Sequence, residues 1–213
     1  MNKIISYSLW GNDAKYIIGA YRNVELAKIW FPDWKVRIYI STKTSINIKS
    51  DNLEIYRMTE NQSWDGLFWR FLCCDSDDIV IVRDLDDRLS QRHRFVVEEW
   101  LKSDKDLHII RDHPNHTYPI MGGLWGSRNG LLKGISEQIS KWENKNYYAT
   151  DQDFLGRILY SKRLIDRSLI HDTFHKNIGI EKDINLERNN FEFLGDTFDE
   201  NDVRNPDYWK LLK

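Results

Sequence analysis

The sequence predicts an α/β fold of the doubly wound kind, and three observations carry that expectation. Ile79-Val80-Ile81-Val82 is a run of four apolar, β-branched residues, the pattern of a strand buried on both faces in the middle of an open sheet. The segments leading up to it alternate as strand, helix, strand, strand, helix, strand. The run then leaves the sheet as Arg83-Asp84-Leu85-Asp86-Asp87-Arg88, and open α/β sheets bind ligands in the crevice beyond the carboxyl ends of their strands.

Residues 3–10 read as the first strand, closed by Gly11-Asn12-Asp13. Asp13 is placed to cap a helix over 14–31, whose apolar positions Ile17, Tyr21, Val24 and Phe31 follow helical spacing and which Pro32 stops. Residues 36–40 form a second strand and 53–56 a third. Ser63 is placed to cap a short helix through Trp64, Leu67, Phe68 and Phe71 that leads into the central strand. After Arg88, a helix over about 90–101 puts Val96, Val97, Trp100 and Leu101 on one face. Residues 107–110 are another strand, followed by a polar loop over 111–119. In the segment 120–126, Gly122 and Gly123 allow either close backbone approach to a ligand or a tight turn. Residues 131–142 and 151–160 read as helices. Residues 168–170 are a short strand running into His171-Asp172-Thr173-Phe174-His175, and 191–195 a late strand. No repeat, low-complexity linker or domain boundary interrupts the 213 residues, which are expected to form a single domain.

Composition narrows the function. The 31 Lys and Arg against 33 Asp and Glu give a net charge of -2, so no basic field invites nucleic acid. Nine Trp and ten Tyr exceed what a core of this size needs, and aromatic platforms suit flat ligands such as sugar rings and bases. Cys73 and Cys74 are adjacent, a poor disulfide pair that fits a reducing compartment. No apolar run has the length of a membrane span and no secretory signal opens the chain, so a soluble, cytoplasmic protein is expected. The end, Tyr208-Trp209-Lys210-Leu211-Leu212-Lys213, has no finishing signal, and the chain reads equally as a piece of a longer one.

In extended backbone Asp84 and Asp86 point to one side and Leu85 to the other. Two carboxylates converging from a strand end are a hard-oxygen site suited to Mn²⁺ or Mg²⁺, which take one or two protein carboxylates and complete their shell with water and phosphate. The alternative is a solvated Asp-rich turn or helix cap.

Together with Ser90-Gln91-Arg92, these residues resemble the GT-A class of nucleotide-sugar glycosyltransferases. Three further segments fit a family within it: Arg111-Asp112-His113-Pro114 with Gly122-Gly123-Leu124-Trp125-Gly126, then Thr150-Asp151-Gln152, then His171-Asp172-Thr173-Phe174. The whole looks similar to the N-terminal glycosyltransferase domains that chlorella viruses encode, which would put the protein in a host cytoplasm. One departure is that relatives carry Glu after Ser-x-Arg, completing a capping box, where this chain has His93.

The resemblance implies a GT-A, Rossmann-like fold with a mixed, mostly parallel sheet. The nucleotide-binding half would be about 1–100 and the acceptor side about 101–213. It implies Mn²⁺ or Mg²⁺ as cofactor, with Asp86 a direct ligand and Asp84 binding either the metal or the donor ribose. His171, where a short apolar strand ends, would complete the metal site, with His175 the second choice. The partners implied are a UDP-sugar, with a hexose such as glucose or a deoxyhexose such as rhamnose, and a glycan acceptor.

Glycosyl transfer also needs carboxylates near the sugar as it gains oxocarbenium character, or as base for the acceptor hydroxyl. Asp151 and Asp112 are the candidates, with Asp153 either a third or a helix-capping residue; for Asp112 the alternative is a turn residue before Pro114. Ser6, Tyr7, Ser8 and Trp10 are placed to offer backbone groups and an aromatic face to a uracil ring, against a core role for Tyr7 and Trp10. Arg70 is a charge in an apolar helix, expensive unless paired; it reaches either the base and ribose or an internal partner, Asp84 or Asp87. Arg83 and Arg88 either clamp phosphate or brace the aspartates, the brace suiting Arg83 better. Gly122 and Gly123 would let the backbone pass close to the donor sugar. Two other classes compete. A sugar-phosphate nucleotidyltransferase usually has a Gly-rich, basic loop after the first strand, which 8–13 lacks. A non-catalytic carbohydrate-binding module would use the aromatics and need no strand-end aspartates.

Overall fold

The computed structural model describes residues 1–59, 64–176 and 178–213. Four strands run in the expected order: β1 (Lys3–Leu9), β2 (Lys35–Ser41), β3 (Leu53–Met58) and β4 (Ile79–Val82). They are followed by β5 (Leu107–Arg111), β6 (Trp125–Ser127) and β7 (Ser168–Asp172). The sheet order is β3-β2-β1-β4-β6-β5-β7, parallel throughout except for β6, which runs antiparallel to both its neighbours. The expected mixed, mostly parallel sheet flanked by helices is therefore the architecture found.

Period-2 alternation places successive residues of each central strand on opposite faces. Ile5, Tyr7, Leu9 and Ile81 pack on one side with α1 (Ala14–Trp30) and α3 (Gln91–Lys102), through Ala20, Val24, Val96, Val97 and Trp100. Ile4, Val80 and Val82 pack on the other with Phe68 and Trp69 of α2 (Gly66–Trp69), and with Phe154 and Leu155 of α5 (Thr150–Ile158). Phe154 sits edge-on to Phe68 and to Trp142, at centroid distances of 5.6 and 5.5 Å. Burial on both faces is why β4 reads as an unbroken apolar run. Among the described residues no helix is long and apolar enough to cross a membrane.

The chain departs from expectation where backbone polar groups find partners other than a ladder. The late strand expected over 191–195 is a pair of turns. Leu194 N donates to the Asp112 carboxylate at 3.0 Å and Gly195 N to Asp87 at 3.3 Å, and Gly195 has φ +84°. The helix expected over 131–142 shrinks to α4 (Ile135–Ser140), because Gly130 and Gly134 take positive φ in the turns before it. Strand β6 was not expected: it is three residues long with glycine at its centre, which removes the β-branched signal. Two short helices, α6 (Lys162–Ile165) and α7 (Pro206–Trp209), also carry no periodic pattern. Asp13 caps α1 as expected, accepting from Lys15 N at 3.0 Å. The expected Ser63 cap lies outside the described residues.

Candidate active site

Strand order reverses next to β1: the chain steps outward through β2 and β3, then returns to β4 on the other side. Such a switch point opens a crevice at the carboxyl ends of the two strands. Ser6 and Ser8, successive on one face of β1, reach into it. Ser6 Oγ donates to Arg70 O at 2.7 Å, and Ser8 Oγ accepts from Arg70 N at 2.9 Å. The two hydroxyls thus fix the backbone of Arg70 at the end of α2.

From there the Arg70 guanidinium, in a residue only 4% exposed, lies between two carboxylates. Its Nη1 pairs with Asp84 Oδ1, and its Nη2 donates to Asp151 Oδ2 at 3.0 Å. Asp151 is buried in the first turn of α5. Burial, and the nearby Asp84 charge, raise its carboxyl above the ordinary range against the pull of Arg70. The glycines close this cluster from the β6 side. A Cβ on Gly123 would stand 2.0 Å from Asp84 Oδ2, and one on Gly122 would stand 2.5 Å from Asp151 Oδ2. Both therefore face the acids and leave them room.

Asp86 follows two residues after Asp84, close enough for the two charges to act on each other. It pairs with Lys15 Nζ at 3.3 Å, from the start of α1. Burial first, and Asp84 second, push its carboxyl up to about 6. A half-exposed Asp84 and a largely buried Asp86 thus lie together, held by one guanidinium and one ammonium. Tyr148, 76% exposed, lies near enough to feel the charges of Asp84, Asp86 and Asp151. Trp64 meets the Tyr148 ring edge-on at 6.0 Å. Trp10 lies half-buried against Trp69 at 6.4 Å, and leaves no space for a side chain on Gly66.

The loop that carries the aspartates is held from beneath by α1. A Cβ on Gly19 would stand 1.8 Å from Leu85 O. One turn on, Asn23 Nδ2 donates to Asp87 O at 2.8 Å and to Leu85 O at 3.3 Å, and its Oδ1 accepts from Leu89 N at 3.0 Å. A buried polar residue four positions from a buried glycine is the signal that would have marked this clamp. Lys15, directly after the Asp13 cap, was equally readable as a cation at the mouth of the crevice.

Other expected site residues lie elsewhere. Tyr7 faces the opposite side of β1, fully buried. Arg83 is buried beneath the sheet end and donates to Val82 O at 2.7 Å and Trp125 O at 3.1 Å, so it neither reaches phosphate nor touches Asp84 or Asp86; burial pulls its guanidinium down to about 10. Arg88 pairs with Asp202 at 3.0 Å, on the far side of the loop. Asp112, expected as a catalytic candidate or a turn residue, is fully buried and held in a network of ion pairs. Its carboxylate accepts from Arg92 Nε and Nη2 (2.6 and 2.9 Å), Arg188 Nη2 (2.6 Å) and Leu194 N. Burial opposes its ionisation, yet Arg92 and Arg188 hold it below the ordinary range.

Asp153, two residues from Asp151, is exposed and accepts from Tyr147 OH at 2.7 Å. His171 has both ring nitrogens engaged. Its Nε2 meets Glu99 Oε2 at 2.9 Å and its Nδ1 meets His108 Nε2 at 2.8 Å. His175 donates to Pro114 O at 2.8 Å. Among the described residues no group of three or more His, Cys, Asp or Glu is arranged to hold a metal ion. Among the described residues neither histidine is gathered with the aspartate pair into such a group.

No family model and no curated protein matches the chain. Among solved structures it is similar to a mycobacterial protein, at TM-score 0.46 and 13% identity over 78% of this chain and 64% of that one. It is similar to the galactosyltransferase LgtC in complex with donor and acceptor sugar analogues, at TM-score 0.43 and 15% identity over 79% and 73%. It is also similar to the glycosyltransferase GlyE of Streptococcus pneumoniae, at TM-score 0.49 and 13% identity over 79% and 45%. The chain thus spans less than two thirds of the mycobacterial protein and less than half of GlyE. At these identities and scores the likenesses say nothing of its chemistry, which is read from its own side chains.

Proposed function

We propose that this chain is a divalent-cation-dependent glycosyltransferase of the GT-A kind, moving a sugar from a UDP-sugar to a glycan hydroxyl. The observation that carries the reading is the Asp84–Asp86 pair at the topological switch point, Asp84 half-exposed and Asp86 largely buried, paired among the described residues with Arg70 and Lys15. Two hard-oxygen ligands fit Mn²⁺ or Mg²⁺, whose remaining positions would go to water and a donor's phosphates. The ion would neutralise charge developing on the leaving diphosphate.

The residues around the pair have separate tasks. Ser6 and Ser8 fix Arg70, and Arg70 orients Asp84 and Asp151 toward one space. Asp151 is then the carboxylate nearest the reacting sugar, either stabilising positive character at the anomeric carbon or taking the acceptor proton. Tyr148, Trp64 and Trp10 line the rim with aromatic faces on which a base or sugar ring can stack. Lys15, paired with Asp86, would supply a cation for the diphosphate if a divalent ion took its place on Asp86. The donor sugar is a hexose such as glucose by default, with a deoxyhexose such as rhamnose the alternative.

A screen of nucleotide-sugars with Mn²⁺, reading free UDP released with and without glycan acceptors, tests this. Release with at least one UDP-sugar, abolished by EDTA and by Asp86→Ala, is expected. Metal-independent release that survives Asp86→Ala would refute the reading.

A further inference from the structure

Three successive carbonyls of the aspartate loop are held by two different parts of the chain. Leu85 O and Asp87 O each accept from Asn23 Nδ2, at 3.3 and 2.8 Å, and from Arg88 Nη1, at 3.0 and 3.1 Å. The carbonyl between them, Asp86 O, accepts instead from Phe198 N at 2.8 Å, close to the far end of the chain. A peptide unit is planar. With the planes before and after Asp86 both fixed by their carbonyls, the direction in which its side chain leaves the backbone is fixed too.

Phe198 belongs to a short hairpin over 197–205. It bridges Arg204 in antiparallel fashion, and Asn205 N donates to Thr197 O at 3.0 Å. Asp199 closes the turn: its N donates to Val203 O at 3.0 Å, and its Oδ1 accepts from Asn201 N and Val203 N at 2.9 and 2.8 Å. Asp202 stands in that turn with φ +60°, a left-handed backbone that Asp and Asn adopt more readily than other side chains. Its carboxylate accepts from Arg88 Nε in the loop at 3.0 Å and from Arg22 Nε on α1 at 2.6 Å. The Arg88 guanidinium also lies 5.0 Å from the centre of the Phe198 ring. One carboxylate thus ties the hairpin to the loop and to α1, in the position that brings Phe198 N to Asp86 O.

We infer that Phe198 and Asp202 are positioning residues for Asp86: the hairpin docks through Asp202 and holds the peptide plane from which the Asp86 carboxylate reaches a divalent ion. A ligand held in its bound direction beforehand loses less freedom on binding. The inference rests on the reading of Asp84 and Asp86 proposed above.

Calorimetric titration of Mn²⁺ in the presence of UDP tests it, on the wild type and two variants. Asn suits φ +60° as well as Asp does, so Asp202→Asn removes both ion pairs without straining the turn. Asp106→Asn is the control. It breaks a comparable pair, with Arg167, at the amino end of β5 and so across the sheet from the crevice. Mn²⁺ binding about tenfold weaker than wild type is expected in Asp202→Asn, the effect of about one lost hydrogen bond to a charged group, and wild-type binding in Asp106→Asn. A role confined to stability would lower the melting temperature of both variants and leave Mn²⁺ affinity unchanged in both. Equal affinity in the wild type and Asp202→Asn, or equal weakening in Asp106→Asn, would overturn the inference and leave the reading of the aspartates standing. No Mn²⁺ bound by the wild type would sink both. If Asp202→Asn does not fold, Arg22→Gln, at a side chain 51% exposed on α1, decides in its place: binding about threefold weaker is expected for that partial loss, and wild-type affinity would overturn the inference.

Discussion

A guanidinium 4% exposed must be neutralised where it lies, and Arg70 meets that demand with Asp84 on one side and Asp151 on the other. Replacing Arg70 by Met would leave Asp151 as a buried carboxylate with no counter-charge. The expected cost is about 3 kcal/mol, toward the low end for a broken buried pair because the Asp84 side chain is 44% exposed. Urea unfolding of Arg70→Met measures it. Asp112 makes the contrasting case. Asp112→Asn strips Arg92 of its buried counter-charge and should also cost about 3 kcal/mol, yet leave the turnover of folded protein close to wild type. Melting temperature and kcat measured together check this, and a collapse of kcat in a well-folded Asp112→Asn would return that residue to the site. The sequence shows Asp112 and Asp151 alike, each an acid in a polar stretch beyond the central strand. What separates them is the arginine that arrives from a distant segment, and Arg188, 76 residues away, leaves no local mark beside Asp112.

At the scale of elements, the acidic loop works only if α1 lies close beneath it. Gly19 permits that approach and Asn23 satisfies three backbone groups of the loop. Gly19→Val would drive a side chain into Leu85 O, and Asn23→Leu would leave two carbonyls and one N–H short of a partner, at about 1–3 kcal/mol each where burial is complete. Both variants should retain the far-UV circular dichroism of a folded α/β protein and lose nucleotide binding in the presence of Mn²⁺, read by calorimetry. Unchanged nucleotide binding in Gly19→Val would show that the loop does not need α1. Strands β1 to β4 and helices α1 and α3 were legible because their apolar periodicity is long enough to outweigh local noise. Strand β6 was hidden by its central glycine. The segment over 191–195 has strand-like residues, but side-chain carboxylates from elsewhere take its N–H groups. The short elements of the second half are positioned by tertiary contacts, and propensity alone does not reveal those.

Across the whole molecule, buried titratable groups oppose one another. Burial lowers His108, His113, His116 and His171 below their ordinary value of 6.5, His116 to about 3. These imidazoles stay neutral when folded and take up protons on unfolding, so their contribution to stability is lost as pH falls below 6.5. Asp86 and Asp196 act the other way. Burial raises them from 3.8 to about 6 and about 7, so the folded state binds the extra proton and gains stability as pH falls through that window. Asp151 and Glu192 are raised as well, but of the groups that titrate nearest neutrality the four imidazoles outnumber Asp86 and Asp196, and the melting temperature should fall between pH 7 and pH 5. Asp196→Asn should steepen that fall by removing one opposing group; a shallower profile in the variant would mean that Asp196 is ionised in the folded protein.

The arrangement as a whole, six parallel strands with one inserted antiparallel strand, serves to bring Asp84 and Asp86 to the edge of the crevice beside β1. Whether they hold a divalent ion is tested most directly by titrating Mn²⁺ in the presence of UDP and following the loss of the free-ion electron paramagnetic resonance signal. The wild type should bind one ion, with Asp84→Asn and Asp86→Asn each weakening it by about tenfold or more, in line with the loss of a charge-assisted contact. Equal Mn²⁺ binding in the wild type and both variants would contradict the assignment.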